Sequence, residues 1–167
     1  MSVSDRVPGA FAAGPRVFAP EEVRELAVVG DRLFVRLRGE QTDGAYCLIE
    51  EITPPGGGPP PHVHRREDEG FYVVEGEFEF LVGDRRLRVG TGGSVWGPRG
   101  VPHGFTNVGD RPGRLLVVIS PSGFERFFEQ VDALGRESQS RESPTPEQLI
   151  ELGRDYELEF LPPPSEG

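Results

Sequence analysis

The sequence predicts an all-β domain, either a sandwich or a barrel, followed by short C-terminal helices. Between residues 32 and 120 short apolar runs alternate with turn residues, and helical spacing of apolar residues appears only after residue 120. The 23 glycines and 17 prolines among 167 residues are spread between these runs, which is typical of a turn-rich β domain rather than a disordered chain. This length leaves room for one domain with a small appendage.

The residues before the strands are expected to form an arm. Residues 1–20 are rich in Gly, Pro and Ala without usable periodicity, which indicates an extended segment. Residues 21–29 could form a short helix, because Pro20 precedes a run with glutamates in its first turn. The predicted divisions are an N-terminal arm with a possible short helix (1–31), a barrel (32–120), a helical extension (121–160) and a flexible tail (161–167).

The barrel is predicted to contain eight short strands. Phe78, Phe80 and Val82 alternate with residues of the opposite face, which is the two-residue period of a strand with one buried side. Gly83 and Asp84 form a good hairpin turn after this strand. The candidate strands are Leu33–Leu37, Ala45–Ile52, Phe71–Glu75, Glu77–Val82, Leu87–Val89, Ser94–Trp96, Gly104–Asn107 and Arg114–Ile119.

Two helices are predicted after the strands. Apolar residues recur at helical spacing between Phe124 and Leu134, and Gly135 follows as a C-cap. The second helix begins at Thr145, with Pro146 at the first helical position and Gln148 at the third. We expect both helices to lie over a face or edge of the barrel and to contribute stability or dimer contacts.

Composition and charge exclude several classes of function. Eighteen basic against 28 acidic residues give a net charge of −10, which disfavours binding to nucleic acid or to an anionic membrane. All the basic residues are arginine, so lysine Schiff bases and lysine-dependent phosphate loops are excluded. Cys47 is the only cysteine and is expected to be a buried apolar residue. No apolar stretch suits a signal peptide or a membrane span, so we expect a cytoplasmic protein.

The three histidines indicate a metal site. His62 and His64 are two residues apart on an extended segment and therefore project from the same face. Glu69 begins the next strand, and His103 begins another strand after a second turn rich in Gly and Pro. Three imidazoles and one carboxylate suit one divalent transition metal, which could be Fe, Mn, Ni, Co, Cu or Zn.

At these residues the chain resembles the cupin family. The family's first motif is matched by Gly56, His62, His64, Glu69 and Gly76, with every gap fitting. Its second motif is matched by Gly92, Pro98, Gly100, His103 and Asn107. The resemblance implies a double-stranded β-helix (cupin or jelly-roll) barrel that holds a metal on His62, His64, Glu69 and His103.

The acidic cluster before the next strand leaves an alternative for the carboxylate ligand. The shorter gap that the motif permits would fall on Asp68, so Glu69 is the better candidate and Glu67 the weaker rival. Asn107 is a framework residue of the motif rather than a ligand. Strand parity places Phe71 and Phe105 inward as substrate-binding residues and Tyr72 outward. Less certain candidates for the cavity wall are Tyr46, Phe78, Phe80 and Trp96.

The single-barrel layout resembles bacterial quercetinase-like cupins, including a Phe-rich helix and a Pro-Thr-Pro-Glu helix after the barrel. This resemblance implies a metal-dependent dioxygenase of a small aromatic or enolic compound, with O2 as co-substrate and Glu69 accepting a substrate proton. One alternative is a metal-dependent isomerase or lyase acting on a sugar or organic acid, which would need arginines such as Arg36, Arg38 or Arg99 in the cavity. Another is ligand binding without turnover. Homodimerisation is also expected.

Overall fold

The structure, a computed structural model, describes residues 17–137 and 143–162. Its described part contains eleven strands and two α-helices. The strands are β1 (Glu25–Val28), β2 (Asp31–Leu37), β3 (Cys47–Thr53), β4 (His62–His64), β5 (Asp68–Glu75), β6 (Glu77–Val82), β7 (Arg85–Gly90), β8 (Ser94–Gly97), β9 (His103–Asn107), β10 (Gly113–Ser120) and β11 (Leu158–Phe160). The helices are α1 (Glu125–Glu137) and α2 (Pro146–Asp155).

The strands form two antiparallel sheets. One has six strands in the order β1-β2-β3-β10-β5-β8, and the other has five in the order β11-β4-β9-β6-β7. Neighbours in each sheet are distant in sequence at several points, as in the pairing of β10 with both β3 and β5. The predicted all-β class and all eight predicted strands are confirmed, with small differences at their ends.

The inner faces of the two sheets form the core. Along β3 and β10 every second residue is buried, so each strand turns one face inward, as expected for a strand with one buried side. The rings of Phe78, Phe80 and Phe105 pack against one another in tilted or edge-on arrangements, with centroids 5.5–6.2 Å apart. Burial of such rings contributes a large share of the apolar area that stabilises a small domain.

The N-terminal segment differs from the predicted short helix over residues 21–29. A single 3-10 turn covers Pro20–Glu22, and the chain then pairs as β1 with β2 from Glu25 onward. Only Leu26 of β1 is buried, so the strand has too little apolar alternation to be distinguished from a helix by pattern alone. The first sheet therefore begins before residue 32. The remaining domain boundaries stay predictions, and residues 1–16 of the arm and 163–167 of the tail lie outside the described residues.

Both C-terminal helices are confirmed, with one correction. Thr145 caps α2 through its side chain, and Gln148 completes the capping box. Gly135, expected as a C-cap, lies inside α1, which continues to Glu137. The buried carboxylate of Asp132 fastens α1 to the first sheet, because it accepts hydrogen bonds from the backbone of Ala27 and from the guanidinium of Arg24.

Candidate metal centre

Four buried side chains meet at one point between the two sheets. His62 and His64 come from β4, His103 from β9 and Glu69 from β5. The first three belong to the five-stranded sheet, whereas Glu69 reaches across from the six-stranded sheet. Each side chain offers one ligand atom, and these atoms all lie within 4.8 Å of one another. The arrangement brings together the four residues that the sequence predicts as ligands.

The imidazoles surround the carboxylate with their Nε2 atoms. Nε2 of His103 lies 2.9 Å from Oε2 of Glu69, and Nε2 of His64 lies 3.6 Å from Oε1. Nε2 of His62 lies 4.0 Å from Oε2. All four side chains are almost fully buried, with His64 and His103 each 1% exposed. Nitrogen and oxygen atoms that lie this close together and are shielded from solvent form a suitable binding site for a cation.

The other ring nitrogen of each histidine faces an acceptor. Nδ1 of His62 lies 2.8 Å from the carbonyl of Pro60, and Nδ1 of His103 lies 2.9 Å from the carbonyl of Val101. Nδ1 of His64 lies 3.5 Å from Oε2 of Glu67, and neither atom has a closer partner among the described residues. With the proton on Nδ1, the lone pair of Nε2 is free to bind a metal, as in known metal-binding histidines.

This geometry distinguishes the three acidic candidates of the segment. Glu69 is the carboxylate of the cluster, while the buried Glu67 lies behind His64, with its Oε2 3.5 Å from Nδ1 of that ring. Asp68 accepts hydrogen bonds from the backbone and the guanidinium of Arg99 instead. Asn107 also takes the framework role, because its amide donates to the carbonyls of Thr53 and Arg111.

Burial and mutual attraction set the charge of the cluster. Burial alone would raise the pKa of Glu69, but the imidazoles of His64, His103 and His62 together lower it to about 2. Burial lowers the pKa of His62 to about 4, which keeps its ring neutral. Burial opposes the charge on His103 too, but its hydrogen bond to Glu69 raises the pKa of this ring. An ionised carboxylate and neutral imidazoles are the ligand forms that a divalent metal needs.

The donor set therefore fits one divalent transition metal. Three nitrogens and one oxygen match the ions expected from the sequence, and a six-coordinate ion would retain about two open positions. Phe124, just before α1, packs its ring edge-on against His64 with centroids 4.3 Å apart. Apolar packing of this kind restricts the ligand ring and keeps the surroundings dry.

Three residues of the cluster, His62, His64 and Glu69, line a cavity of about 510 Å3. Its walls are mainly aliphatic and aromatic, and Phe71 and Phe105 are both among them. Tyr72 points away and is 46% exposed. Of the less certain wall candidates, Tyr46 and Trp96 are exposed, and Phe78 and Phe80 are buried in the core rather than lining the cavity.

The C-terminal extension supplies a part of the wall that the sequence does not predict. Phe124, Phe127 and Phe128 line the cavity from α1 and the turn before it, and Leu149 lines it from α2. Strand β11 pairs with the ligand strand β4, with Leu158 opposite His64 and Phe160 opposite His62. The helical spacing in the sequence reveals an apolar face but not which surface that face covers. The helices therefore enclose the site as well as stabilising the barrel.

The arginines that an isomerase or lyase would need lie elsewhere. Arg36 pairs with Glu50, Arg38 with Glu129 and Arg99 with Asp68. No residue of the described chain that lines the cavity is an arginine. Two acidic residues, Asp31 and Glu51, do line it, and neither is among the predicted site residues.

A barrel of two antiparallel sheets with a metal-ligand cluster at its interior defines the class, and comparison with known families agrees. Residues 49–119 match the family model of the cupin domain, which is the family that the two histidine motifs of the sequence indicate. The fold is shared with KdgF from a Halomonas species, at 20% identity and a TM-score of 0.60 over 68% of this chain and 99% of that one.

Two further relatives extend the comparison. The polyketide cyclase RemF from Streptomyces resistomycificus is 26% identical, with a TM-score of 0.55 over 65% of this chain and 81% of that chain. An uncharacterised protein of Methanocaldococcus jannaschii is 28% identical over 74 residues, which are 44% of this chain and 59% of that protein. This chain thus spans less than two thirds of that relative.

Neither helix in the described residues is long and apolar enough to cross a membrane.

Proposed function

We propose that the protein is a metal-dependent dioxygenase of a small aromatic or enolic compound, similar to a flavonol. One observation supports this best: the cluster of three histidines and one glutamate opens into a cavity of about 510 Å3 whose walls are largely apolar and aromatic. The volume lies within the range of small-molecule sites, and the walls suit a flat apolar ligand. The few polar groups among the lining residues would fix its orientation.

The residues of the site support this chemistry. A divalent transition metal held by the four ligands would supply Lewis acidity and a place where a substrate oxygen and dioxygen meet. Glu69 is ionised, so it can accept the proton of a substrate hydroxyl. Because the pKa of Glu69 is low, this transfer requires an acidic hydroxyl, such as that of an enol or flavonol. When both atoms of O2 enter the products of an enol or flavonol, the substrate itself supplies the electrons, so the reaction balances without an external reductant.

Oxygen uptake tests the proposal. The protein is prepared without metal, reconstituted with Fe, Mn, Ni or Co, and mixed with flavonols in an oxygen electrode. We expect uptake with at least one metal and none with the matched His62→Ala variant. Absence of oxygen uptake with all four metals would overturn the proposal that the protein is a dioxygenase. Tight flavonol binding without oxygen uptake would then favour a function in ligand binding alone.

Cyclisation of an enolic polyketide chain is a second candidate. The likeness to RemF, which is named a polyketide cyclase, favours it, as do the aromatic walls. Cyclisation is redox-neutral, so substrate would disappear under argon at the same rate as in air. A sugar or organic acid is less favoured, because no arginine of the described residues lines the cavity.

We infer a homodimer from the family resemblance. The outer face of the six-stranded sheet carries exposed Tyr72, Trp96 and Val118, which is consistent with a surface that packs against another sheet. Light scattering after gel filtration would distinguish a dimer from a monomer. A Trp96→Arg variant should shift a dimer on this face toward monomer.

A further inference from the structure

A second polar group faces the cavity away from the histidines. Asp31 opens β2, and Glu51 lies on β3, which pairs with it. Leu33 is opposite Glu51 in this register, so Asp31 is diagonal to Glu51 on the same inward face. Both carboxylates line the cavity. The two strands thus place one acidic pair in a wall that is otherwise mainly apolar.

The pair has few partners in the protein. Asp31 is 7% exposed and Glu51 is 8% exposed, and neither forms an ion pair with an arginine or histidine of the described chain. Oδ1 of Asp31 has no hydrogen-bond partner among the described residues. Burial of an unsatisfied carboxyl is unfavourable, and an apolar pair could fill the same volume without this cost. The side chain of Asp31 interacts with Glu51 and Thr53, but its buried Oδ1 remains without a hydrogen-bond partner in a cavity wall, which points to a ligand.

The protonation of the pair suits a neutral hydroxyl. Burial raises the pKa of Asp31 to about 6, and burial together with the neighbouring Asp31 raises the pKa of Glu51 well above its usual range. Two adjacent buried carboxyls share a proton instead of ionising together. With one shared proton the pair keeps a net charge of −1, and its remaining carboxyl oxygens can accept hydrogen bonds from the cavity. Such a pair accepts a hydrogen bond from a hydroxyl and repels a carboxylate.

The pair also lies at a distance from the metal centre that a ligand with several rings can bridge. In the β3-β10-β5 part of the sheet, Ile119 pairs with Glu69 and Leu115 pairs with Glu51. Glu51 is therefore two strands and four residues from Glu69, about 10 Å across the sheet and about 13 Å along it. Both side chains are buried, and the charge of Glu69 contributes to the raised pKa of Glu51, so the two carboxylates act on each other across the cavity.

We propose that Asp31 and Glu51 form a second recognition site, which binds a hydroxyl group of the substrate on a part of the cavity wall separate from the metal ligands. This inference rests on the proposed function and narrows its substrate class. The ligand is an aromatic compound with an acidic hydroxyl at the histidines and a neutral phenolic hydroxyl at the acidic pair. The acidic pair then determines specificity and orientation, whereas Glu69 and the histidines carry the chemistry.

Binding measured without turnover tests the inference. The zinc-loaded protein is titrated under argon with 3-hydroxyflavone and with derivatives that carry one further hydroxyl on either the fused or the pendant ring. Dissociation constants follow from ligand fluorescence or absorbance. We expect Glu51→Leu to weaken binding of at least one further-hydroxylated derivative by about tenfold or more, and to leave 3-hydroxyflavone within about twofold.

The matched control is Glu50→Gln. Glu50 is the next residue on β3, lies on the other face and pairs with Arg36, so this variant should leave every constant unchanged. Should Glu51→Leu fail to fold, Glu51→Gln and Asp31→Asn keep the shape and are expected to give a smaller loss with the same ligand preference. Equal changes for all flavones, or no change for any, would overturn the inference. Because no oxygen is present, this result is independent of whether the protein is a dioxygenase.

Discussion

Replacing Glu67 tests how far the metal centre depends on the residue behind His64. Oε2 of Glu67 lies 3.5 Å from Nδ1 of His64, and both atoms are buried without another partner among the described residues. In Glu67→Gln the carboxylate charge that faces Nδ1 of His64 is lost, while the four ligands remain. Removal of such an outer partner typically lowers metal affinity by about 10- to 100-fold.

The size of the effect depends on what replaces the carboxylate. In Glu67→Gln the amide oxygen of the new side chain can still accept a hydrogen bond from Nδ1 of His64, whereas Glu67→Ala removes the acceptor altogether. We therefore expect a loss of about tenfold for Glu67→Gln and a value nearer a hundredfold for Glu67→Ala. The assay is competition for zinc against a chelating dye at fixed pH, supported by elemental analysis of the dialysed protein.

Asp68→Asn provides the control for this series. Asp68 is adjacent in sequence, but its partner is Arg99 and it takes no part in the cluster, so its variant should keep zinc affinity within about twofold of the wild type. An unchanged affinity in both Glu67 variants, or an equal fall in Asp68→Asn, would refute the assigned role of Glu67.

Three further predictions concern ligands, backbone and pH. His62→Ala or His103→Ala should remove nearly all bound metal by elemental analysis, and unchanged metal content would contradict the ligand assignment. Gly58→Ala should lower the free energy of unfolding by about 2 kcal/mol or more, because its φ is +125° and a Cβ would lie 2.2 Å from the carbonyl oxygen of Phe105. Gly56 has a φ of +75° but no atom within 4 Å of an added Cβ, so Gly56→Ala should lower the free energy of unfolding by about 1 kcal/mol. Equal losses for the two variants in denaturant unfolding would refute the role of the contact with Phe105. The folded-state pKa of Asp31 is raised to about 6, so this residue stabilises the folded protein at low pH, and that stabilisation is lost as the pH rises from about 4 through 6. In Asp31→Asn the free energy of unfolding should therefore fall less between pH 4 and 7 than in the wild type. The same pH dependence in the metal-free wild type and the metal-free variant would contradict this prediction.

The sequence predicts the metal centre well, because its signal is local. His62, His64 and Glu69 lie within eight residues, and the period of an extended chain already places the two histidines on one face. His103 adds a second turn framed by Gly and Pro. Spacing and residue scarcity thus predict which four side chains come together, and only the position of Glu67 behind His64 required coordinates.

The rest of the site depends on pairings between distant segments. Asp31 and Glu51 read as ordinary surface charges in the sequence, because alternation along a strand does not reveal which face becomes the cavity. Strand β4 has only three residues, all buried, so it shows no alternation at all. Strand β11 is defined by its pairing with β4, and the three residues Leu158–Phe160 are too few to predict a strand from sequence alternation.

The pairing of β4 with β11 also has a consequence for how the metal centre is assembled. On one side β4 pairs with β9 only through His62 and His103, and on the other side it pairs with β11 at three positions. The strand that carries two ligands is thus held mainly by residues 158–160, which are 94 or more positions later in the chain. Contacts of such long range require the closure of a long loop, which has an entropy cost and slows folding. We therefore expect the ligand strand to be completed late in folding, so that high-affinity metal loading follows the docking of the C-terminal segment.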